Sequence, residues 1–319
     1  MAYALAARQV RKEGIRVRFR WDQQPPTRKF IMKSMKSDTT KSDIAIVTDS
    51  GASLPQELIE EYDVTVVPLG IQFGSDAYRD GIDITREEFY ERLNGPDVPC
   101  TSQPAPAEFI SIYRKLLERA KTIISIHITS TGSGTYQVAN LAKASFPDAD
   151  IEVVDSLSAS MGTGFMVLAA AEAVRGGKTK DEILRILTEL RSRISAYAVI
   201  NSVKHLLKSG RIHKGQALIA SLLSIKPLVS VKEGVVEVVD RVRTYQAALE
   251  RLVELTRDAA RDSRVRVSVV HGNALAEARR LRERLKTVLD CGEIIVSDIG
   301  APLAVHGGPG IIGVVCHPV

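Results

Sequence analysis

Residues 122–155 read TIISIHITSTGSGTYQVANLAKASFPDADIEVVD, and this stretch decides the fold class. Its apolar, β-branched beginning predicts a buried strand over Thr122–Ile128. The residues that follow Ser133 predict a helix over Gly134–Ser145, and Ile151–Val154 predicts a second strand. A strand, a helix and a further strand in this order form a βαβ unit, in which the two strands run parallel.

The same alternation continues towards the N-terminus. We predict strands over Ile44–Val47 and Val64–Val67, a hairpin or irregular β segment over Ile71–Tyr78, and helices over Pro55–Tyr62, Thr85–Leu93 and Pro106–Ala120. Thr85 and Glu88 have the spacing of a capping box at a helix start. This rhythm predicts an α/β fold whose N-terminal sheet is parallel and carries helices on both faces. In such sheets, ligands bind beyond the carboxyl ends of the strands.

The pattern of predicted helices and strands changes from about residue 158, and we predict a second α/β domain with a mixed sheet. Its predicted elements are helices over 158–175, 179–194, 244–261 and 274–289, a polar turn over Lys208–Arg211, and strands over Tyr197–Ile200, Ser224–Val231, Val235–Val239, Val265–Val270, Glu293–Asp298 and Ile311–Cys316. We therefore divide the chain into an extension over residues 1–42, an N-terminal domain over 43–163 and a C-terminal domain over 164–319.

The positive charge of the chain is concentrated at its beginning. The first 41 residues contain eleven Lys or Arg and three Asp or Glu, whereas the whole chain has a formal net charge of +5. Arg16, Arg18 and Arg20 beside Trp21 would suit nucleic acid or an anionic membrane surface. The simpler interpretation is a disordered extension, because its few apolar residues bury too little area to order it. We predict no nucleic-acid partner, and we expect deletion of residues 1–34 to leave ligand binding intact.

Composition excludes several other classes of protein. No apolar run approaches the roughly 20 residues that span a bilayer. Cys100, Cys291 and Cys316 have neither a CxxC nor a zinc-like spacing, and the six histidines form no HExxH pair. We therefore expect a cytoplasmic protein that holds no metal or other cofactor and does not insert stably into a membrane.

Polar residues gather in four short clusters, each of which falls where a strand pattern stops. They are Thr48–Ser50, Thr101–Pro104, Ser133–Gln137 and His306–Gly310. We place three of the four at the carboxyl ends of the predicted parallel strands. Small hydroxyl residues, glycines and a histidine suit a small anionic head group, since a helix start offers free N–H groups and a favourable dipole. The pattern favours ligand binding over catalysis.

Seven short motifs give the chain a resemblance to a known family. In order they are IVTDS (46–50), TSQPAP (101–106), SGTYQ (133–137), VDSLSASMG (154–162), KSGRI (208–212), IKPL (225–228) and HGGPG (306–310). Their order and spacing resemble the DegV family, which includes the FakB-type subunits of bacterial fatty acid kinase. The resemblance implies a two-domain α/β protein that encloses one long-chain fatty acid in an apolar tunnel between its domains. It also implies an ATP-dependent partner kinase that phosphorylates the bound carboxylate.

The resemblance assigns roles to particular residues. It implies that Thr101, Ser133 and His306 bind the fatty acid carboxylate. The loops that support these three residues contain Ser102, Gly134, Thr135, Gly307 and Gly308. Arg211 matches an arginine that faces the kinase, so we expect it to serve docking or phosphoryl transfer more than lipid affinity. The chain departs from the family pattern at Ala105, where serine is common, and at Gly307, where threonine is common.

Other interpretations of the same residues stay open at this point. Each cluster alone also fits a rigid loop or a plain helix cap. A hydrolase or acyltransferase would use Ser133 and His306, with Asp49 or Asp155 as the orienting acid, although residues 131–135 lack the G-x-S-x-G pattern. A nucleotide site would use the glycine-rich loops, but the chain contains neither GxxxxGK[ST] nor GxGxxG.

Overall fold

The structure is a computed structural model that describes residues 43–95, 99–201, 203–211 and 225–319. The predicted extension over residues 1–42 lies outside the described residues. The division of the remaining chain at residues 163 and 164 stays a prediction.

The first part of the chain alternates strands with helices, as the sequence predicts. Its strands are β1 (Ile44–Asp49), β2 (Thr65–Val67), β3 (Gly70–Phe73), β4 (Asp76–Arg79), β5 (Cys100–Ser102), β6 (Thr122–His127) and β7 (Asp150–Asp155). Its helices are α1 (Gln56–Glu61), α2 (Arg86–Leu93), α3 (Pro106–Leu117), α4 (Thr135–Lys143), α5 (Met161–Arg175) and α6 (Lys180–Arg193). The predicted capping box opens α2, where the Thr85 N–H donates to Glu88 at 2.9 Å and the Glu88 N–H donates to Thr85 at 3.2 Å.

Strands β1, β2, β6 and β7 form the predicted parallel sheet, in the order β2-β1-β6-β7. Its central strands are apolar on both sides because helices cover both faces. Ile123 packs with the buried aromatic residues of α3, whereas Ile124 and Ile126 pack with α5 and α6 on the opposite face. A strand that is buried on two faces reads as a largely apolar run, and residues 122–128 contain four isoleucines beside the buried polar Ser125 and His127.

Strands β3, β4 and β5 form a separate antiparallel sheet in the order β4-β3-β5. The predicted hairpin over Ile71–Tyr78 supplies two of its strands. The third strand was not predicted, because three partly polar residues give no periodic signal. This strand matters for the site, since its pairing with β3 places Thr101 opposite Ile71.

The second part of the chain builds the predicted mixed sheet. Its strands are β8 (Ser195–Val199), β9 (Lys226–Lys232), β10 (Val235–Val242), β11 (Val265–His271), β12 (Ile295–Asp298) and β13 (Ile312–Pro318). Its helices are α7 (Val203–Ser209), α8 (Tyr245–Ala260), α9 (Leu275–Val288) and α10 (Gly300–Gly307). The six strands lie in the order β10-β9-β8-β13-β11-β12, and only β11 and β12 pair in parallel.

The mixed sheet has one closed face and one face turned towards the rest of the protein. Leu252 and Leu285 from α8 and α9 pack on the closed face with Val267 and Val314. The opposite face contributes Val229, Val270 and Val315 to an apolar cluster shared with Phe165 of α5 and with α7 and α10. The candidate site lies within this shared cluster.

Two predictions about the polar clusters were wrong. The sequence predicted that each cluster follows a strand, and that three of the four lie at the carboxyl ends of the parallel strands. Only the clusters at Thr48–Ser50 and Ser133–Gln137 follow strands of the parallel sheet, because Thr101 lies inside β5 and His306 lies in the last turn of α10. Helix α10 was not predicted, since its eight residues contain a proline and two glycines. Proline is compatible with the first turn of a helix, where its missing N–H has no acceptor. The predicted polar turn over Lys208–Arg211 is where α7 ends.

Candidate functional site

Thr101 and His306 meet although 205 residues separate them, and the distance from Thr101 Oγ1 to His306 Nε2 is 3.1 Å. Pairing with β3 holds Thr101 in place. His306 is placed by α10, which packs against β3 and β5. Two of the three residues expected to bind one anion therefore lie in direct contact.

The second ring nitrogen of His306 is unpaired. His306 Nδ1 is buried and has no hydrogen-bond partner among the described residues. Burial, together with the positive charge of Arg211, lowers the pKa of His306 to about 4. The ring is therefore neutral at pH 7 and carries one N–H. When Nε2 accepts the Thr101 hydroxyl proton, Nδ1 is the donor that awaits a partner.

An apolar cavity of about 150 Å³ opens beside His306. It lies between the residues that precede α5 and the inner face of the mixed sheet. Its apolar wall includes Ile200, Leu206, Val229, Val270, Leu303 and Ile311, and its polar residues include Ser160, Arg211 and His306. A cavity of this size holds a molecule such as benzene. The space enclosed by the described residues thus fits part of a long acyl chain and is shorter than the tunnel we expected.

Ser133 forms its hydrogen bonds with Thr135 and not with the pair of Thr101 and His306. Its hydroxyl lies 2.8 Å from Thr135 Oγ1 and accepts the Thr135 N–H at 3.3 Å, at the start of α4. The two loops are nevertheless neighbours, because a Cβ atom on Gly134 would lie only 2.7 Å from the side chain of Gln103. The structure therefore places Ser133 near the Thr101 segment, with its hydroxyl bonded to Thr135.

The predicted supporting residues allow close packing. Ser102 lies against Gly70 on the neighbouring strand. Gly308 has a φ of 76°, and a Cβ atom there would lie 2.8 Å from the ring of His205. A Cβ atom on Gly307 would lie 2.5 Å from Ile311, so a threonine at this position would require the Ile311 side chain to move. The departure at Gly307 is thus linked to an isoleucine that lines the cavity.

Neither candidate orienting acid of a hydrolase reaches His306. Asp49 Oδ2 lies 2.9 Å from His127 Nδ1 and accepts the N–H of Ile128 at 3.1 Å. Asp155 accepts N–H groups from the loop after β6 and from Leu157. The hydrolase interpretation therefore lacks the third group that would orient its base.

Sequence reasoning missed two features of this region. One is the buried network that joins Asp49 and His127 to Ser125 and Tyr113. It gave no signal, because Tyr113, Asp49 and the β6 pair of Ser125 and His127 are far apart in sequence and meet only in the folded sheet. The other is Ser160, which belongs to a quoted motif but was not selected as a site residue, and which lines the cavity.

Metal binding and membrane insertion are two further possibilities for a chain of this kind. No group of three or more His, Cys, Asp or Glu side chains in this part of the chain has an arrangement that would hold a metal ion. No helix that the structure describes is both long enough and apolar enough to cross a membrane.

Comparison with known proteins links this chain to one family. The sequence model of the DegV family, described as an uncharacterised protein family, matches residues 43–319. The DegV domain-containing protein TTE1491 of Caldanaerobacter subterraneus is 34% identical over 272 residues, which cover 85% of this chain and 97% of that protein.

Solved structures agree with the sequence match. The first is described as a fatty-acid-binding DegV family protein from Thermus thermophilus. It is 36% identical, has a TM-score of 0.80, and the match covers 86% of this chain and 99% of that one. The second is a stearic-acid-binding protein from Eubacterium ventriosum. It is 27% identical, with a TM-score of 0.81 and coverage of 86% and 98% of the two chains.

Proposed function

Because the chain belongs to the DegV family, we propose that it binds one long-chain fatty acid, with the carboxylate at Thr101 and His306 and the acyl tail in the apolar cavity. The observation that carries this proposal is the half-paired imidazole of His306. A buried donor without a partner is costly, and it stands beside a cavity whose wall is almost wholly apolar. An amphipathic acid satisfies both features at once.

The acyl tail supplies most of the affinity in this proposal. Burial contributes about 0.8 kcal/mol per CH₂ group, so complete burial of a chain of about sixteen carbons would offer on the order of 10 kcal/mol before the costs of association. The described cavity would bury part of that chain. The head group then needs only enough donors to offset its desolvation. Thr101 donates its hydroxyl proton to His306 Nε2, which leaves the Nδ1–H of the neutral imidazole as the donor for the carboxylate. Such a donor releases the anion more easily than a bidentate arginine would.

Ser133 completes the head-group site in this proposal. Its hydroxyl can rotate away from Thr135 and donate to a carboxylate. Thr135 keeps its own hydroxyl when this contact is lost, and it is the first residue of the nine-residue helix α4. The positive end of the α4 dipole favours an anion at this position. The closeness of Gly134 to Gln103, two residues after Thr101, supports this arrangement.

We further propose that the chain is inactive alone and presents its ligand to an ATP-dependent kinase in the cytoplasm. A carboxylate oxygen would attack the γ-phosphorus of ATP, forming an acyl phosphate and releasing ADP. Arg211 is exposed, lines the cavity and lies close enough to His306 to lower the pKa of the imidazole. This placement supports a role for Arg211 where the head group would meet the kinase.

Fatty acid binding is tested by native mass spectrometry followed by titration. Protein purified from its host is expected to carry one long-chain fatty acid, and the delipidated protein is expected to bind stearate with one-to-one stoichiometry. The Thr101→Val variant keeps the side-chain shape and removes the hydroxyl that pairs with His306 Nε2 and holds the Nδ1–H donor in place, so it should bind more weakly. Delipidated wild-type protein that fails to bind any long-chain fatty acid would refute the proposal.

The kinase step needs its own assay. The protein is loaded with stearate and incubated with ATP and an ATP-dependent fatty acid kinase. The acyl phosphate that forms is trapped with hydroxylamine. Arg211→Ala should keep stearate affinity and lose trapped product, and Arg211→Lys should retain part of it. Loss of stearate affinity in Arg211→Ala would instead assign Arg211 to lipid binding.

A further inference from the structure

Ser160 is a buried hydroxyl in the wall of the apolar cavity. It immediately precedes α5, and its Oγ has no hydrogen-bond partner among the described residues. The same cavity contains His306, whose free ring nitrogen is already accounted for by the proposed head-group site. Ser160 has no role in that site.

The backbone holds Ser160 in this position at a conformational cost. Its φ of 53° and ψ of −145° lie in a region that non-glycine residues rarely adopt. The Ser160 N–H donates to the carbonyl oxygen of Gly51 at 2.8 Å, which ties the residue to the turn after β1. Such conformations persist only where the surrounding structure enforces them.

A neighbouring serine shows what an ordinary buried hydroxyl does here. Ser156, four residues earlier, lies 2.8 Å from the Thr163 hydroxyl, donates to the carbonyl oxygen of Ser158 and accepts the Ser158 N–H at 3.1 Å. Its hydrogen-bonding capacity is used within the protein. Ser160 differs because its hydroxyl has no partner among the described residues, although the residue lines the cavity that the ligand would occupy.

A saturated acyl chain would leave this hydroxyl unpaired. Methylene groups neither donate nor accept hydrogen bonds, so such a chain gains nothing from this hydroxyl, whereas a ligand oxygen that pairs it gains a hydrogen bond. An acyl chain that carries one oxygen at the right depth would pair it. We propose that Ser160 selects fatty acids that bear a hydroxyl or keto oxygen along the chain. This inference rests on the proposed fatty acid function and names a ligand class for that site.

The test compares stearate with a series of monohydroxystearates that differ in the position of the hydroxyl. Affinities are measured by calorimetry for delipidated wild type, Ser160→Ala and Ser160→Gly. At least one isomer should lose about three- to tenfold in affinity relative to stearate in both variants, which is the range of one neutral hydrogen bond. The affinity for stearate itself should stay the same or rise.

The two variants control for backbone effects. Ser160→Gly removes the hydroxyl and also relieves the positive φ, whereas Ser160→Ala keeps the strain. A selectivity change that appears in both variants therefore reports the hydroxyl, and the glycine variant keeps the test informative if the alanine variant folds poorly.

The possible failures are distinguishable. Unchanged selectivity across all isomers, with stearate still bound, would overturn the role of Ser160 alone. Absence of stearate binding in wild type would overturn the proposed function and this inference with it.

Discussion

Two histidines in this protein stand in opposite situations. His127 lies in β6 with no exposed surface, and both ring nitrogens are paired, Nδ1 with Asp49 at 2.9 Å and Nε2 with Ser125 at 2.7 Å. Ser125 also accepts the Tyr113 hydroxyl at 2.8 Å. His306 has one paired nitrogen and one buried nitrogen without a partner among the described residues.

The difference separates a structural network from a candidate site. Ser125, His127 and Asp49 contain the residue types of a hydrolytic triad, but all three are fully buried between the strands and helices of the first sheet. A fully satisfied network of this kind rigidifies the structure around it. His306 instead combines an incomplete hydrogen-bond set with adjacent space. Chemistry toward a ligand depends on that combination more than on residue type.

The largest expected effect is the loss of stability in Asp49→Ala. This change removes the acceptor of His127 and of the N–H groups of Gly51 and Ile128. Breaking a buried pair on one side costs about 3–5 kcal/mol, and urea denaturation would measure it. Asp43→Ala is the matched control, because Asp43 pairs with Lys121 on the surface with 66% of its side chain exposed. That control should lose less than about 1 kcal/mol.

The second prediction concerns the pH dependence of His306. Burial lowers its pKa from 6.5 to about 4, so below pH 6.5 the unfolded chain binds a proton that the folded protein resists. The free energy of unfolding therefore falls as the pH drops from about 6.5 to about 4, by on the order of 3 kcal/mol. His306→Gln removes this contribution. The free energy of unfolding of this variant, relative to that of wild type, should therefore rise steadily as the pH falls over that range. A difference that does not change with pH would contradict the burial of a neutral His306 ring.

Asp80 contributes with the opposite sign, which is why the comparison uses a difference between variants. Burial raises the pKa of Asp80 from 3.8 to about 6, so the folded protein keeps a proton that the unfolded chain loses. This contribution is present at low pH and is lost as the pH rises through about 6. In wild type the two slopes offset each other between about pH 4 and 6. Subtracting the curve of His306→Gln from that of wild type cancels the Asp80 contribution.

The fold was more predictable than the site for physical reasons. Buried parallel strands produce apolar runs that local reasoning reads directly, as over residues 122–128. The short elements that carry the site, β5 and α10, give no such signal. Three residues are too few to show a period, and α10 is held by packing against β3, β5 and α2. Tertiary contacts outweigh local propensity in elements of this length.

The motifs predicted which residues would gather but not how they would bond. Thr101 and His306 meet, yet Ser133 bonds to Thr135 in this structure. Whether a hydroxyl caps its own helix or faces a ligand depends on one rotatable bond, which sequence does not encode. Ser160 shows the same limit, since only the assembled cavity reveals that its hydroxyl lacks a partner.

The third prediction compares what happens when each of the two histidines, His306 and His127, is replaced by alanine. His306→Ala should weaken stearate binding by about ten- to a hundredfold, the range of one hydrogen bond to a charged group. It should change stability little at pH 7, because it also removes an unpaired buried nitrogen. His127→Ala should do the reverse, lowering stability and leaving the affinity of the folded protein unchanged. Calorimetry and urea denaturation of both variants would measure this exchange, and equal effects on binding would erase the distinction.

The smallest expected effect is at Tyr113, which lies at the end of the buried network that also contains Ser125, His127 and Asp49. We call this group the sealed network. Burial raises the pKa of Tyr113 to about 12, so its phenol keeps the proton that it donates to Ser125. Tyr113→Phe removes this bond and leaves the Ser125 and His127 contact in place, so we expect a loss of about 1 kcal/mol.

The double variant Tyr113→Phe with Thr101→Val then tests whether the two networks are independent. They share no hydrogen-bonded residue in the described part of the chain, so the two stability changes should add within about 0.5 kcal/mol. Tyr113→Phe should also leave stearate affinity unchanged. A larger coupling would mean that the sealed network holds the loops around the head group in position. The contrast between the two histidines would then be one of degree, because the structural network would itself shape the binding site.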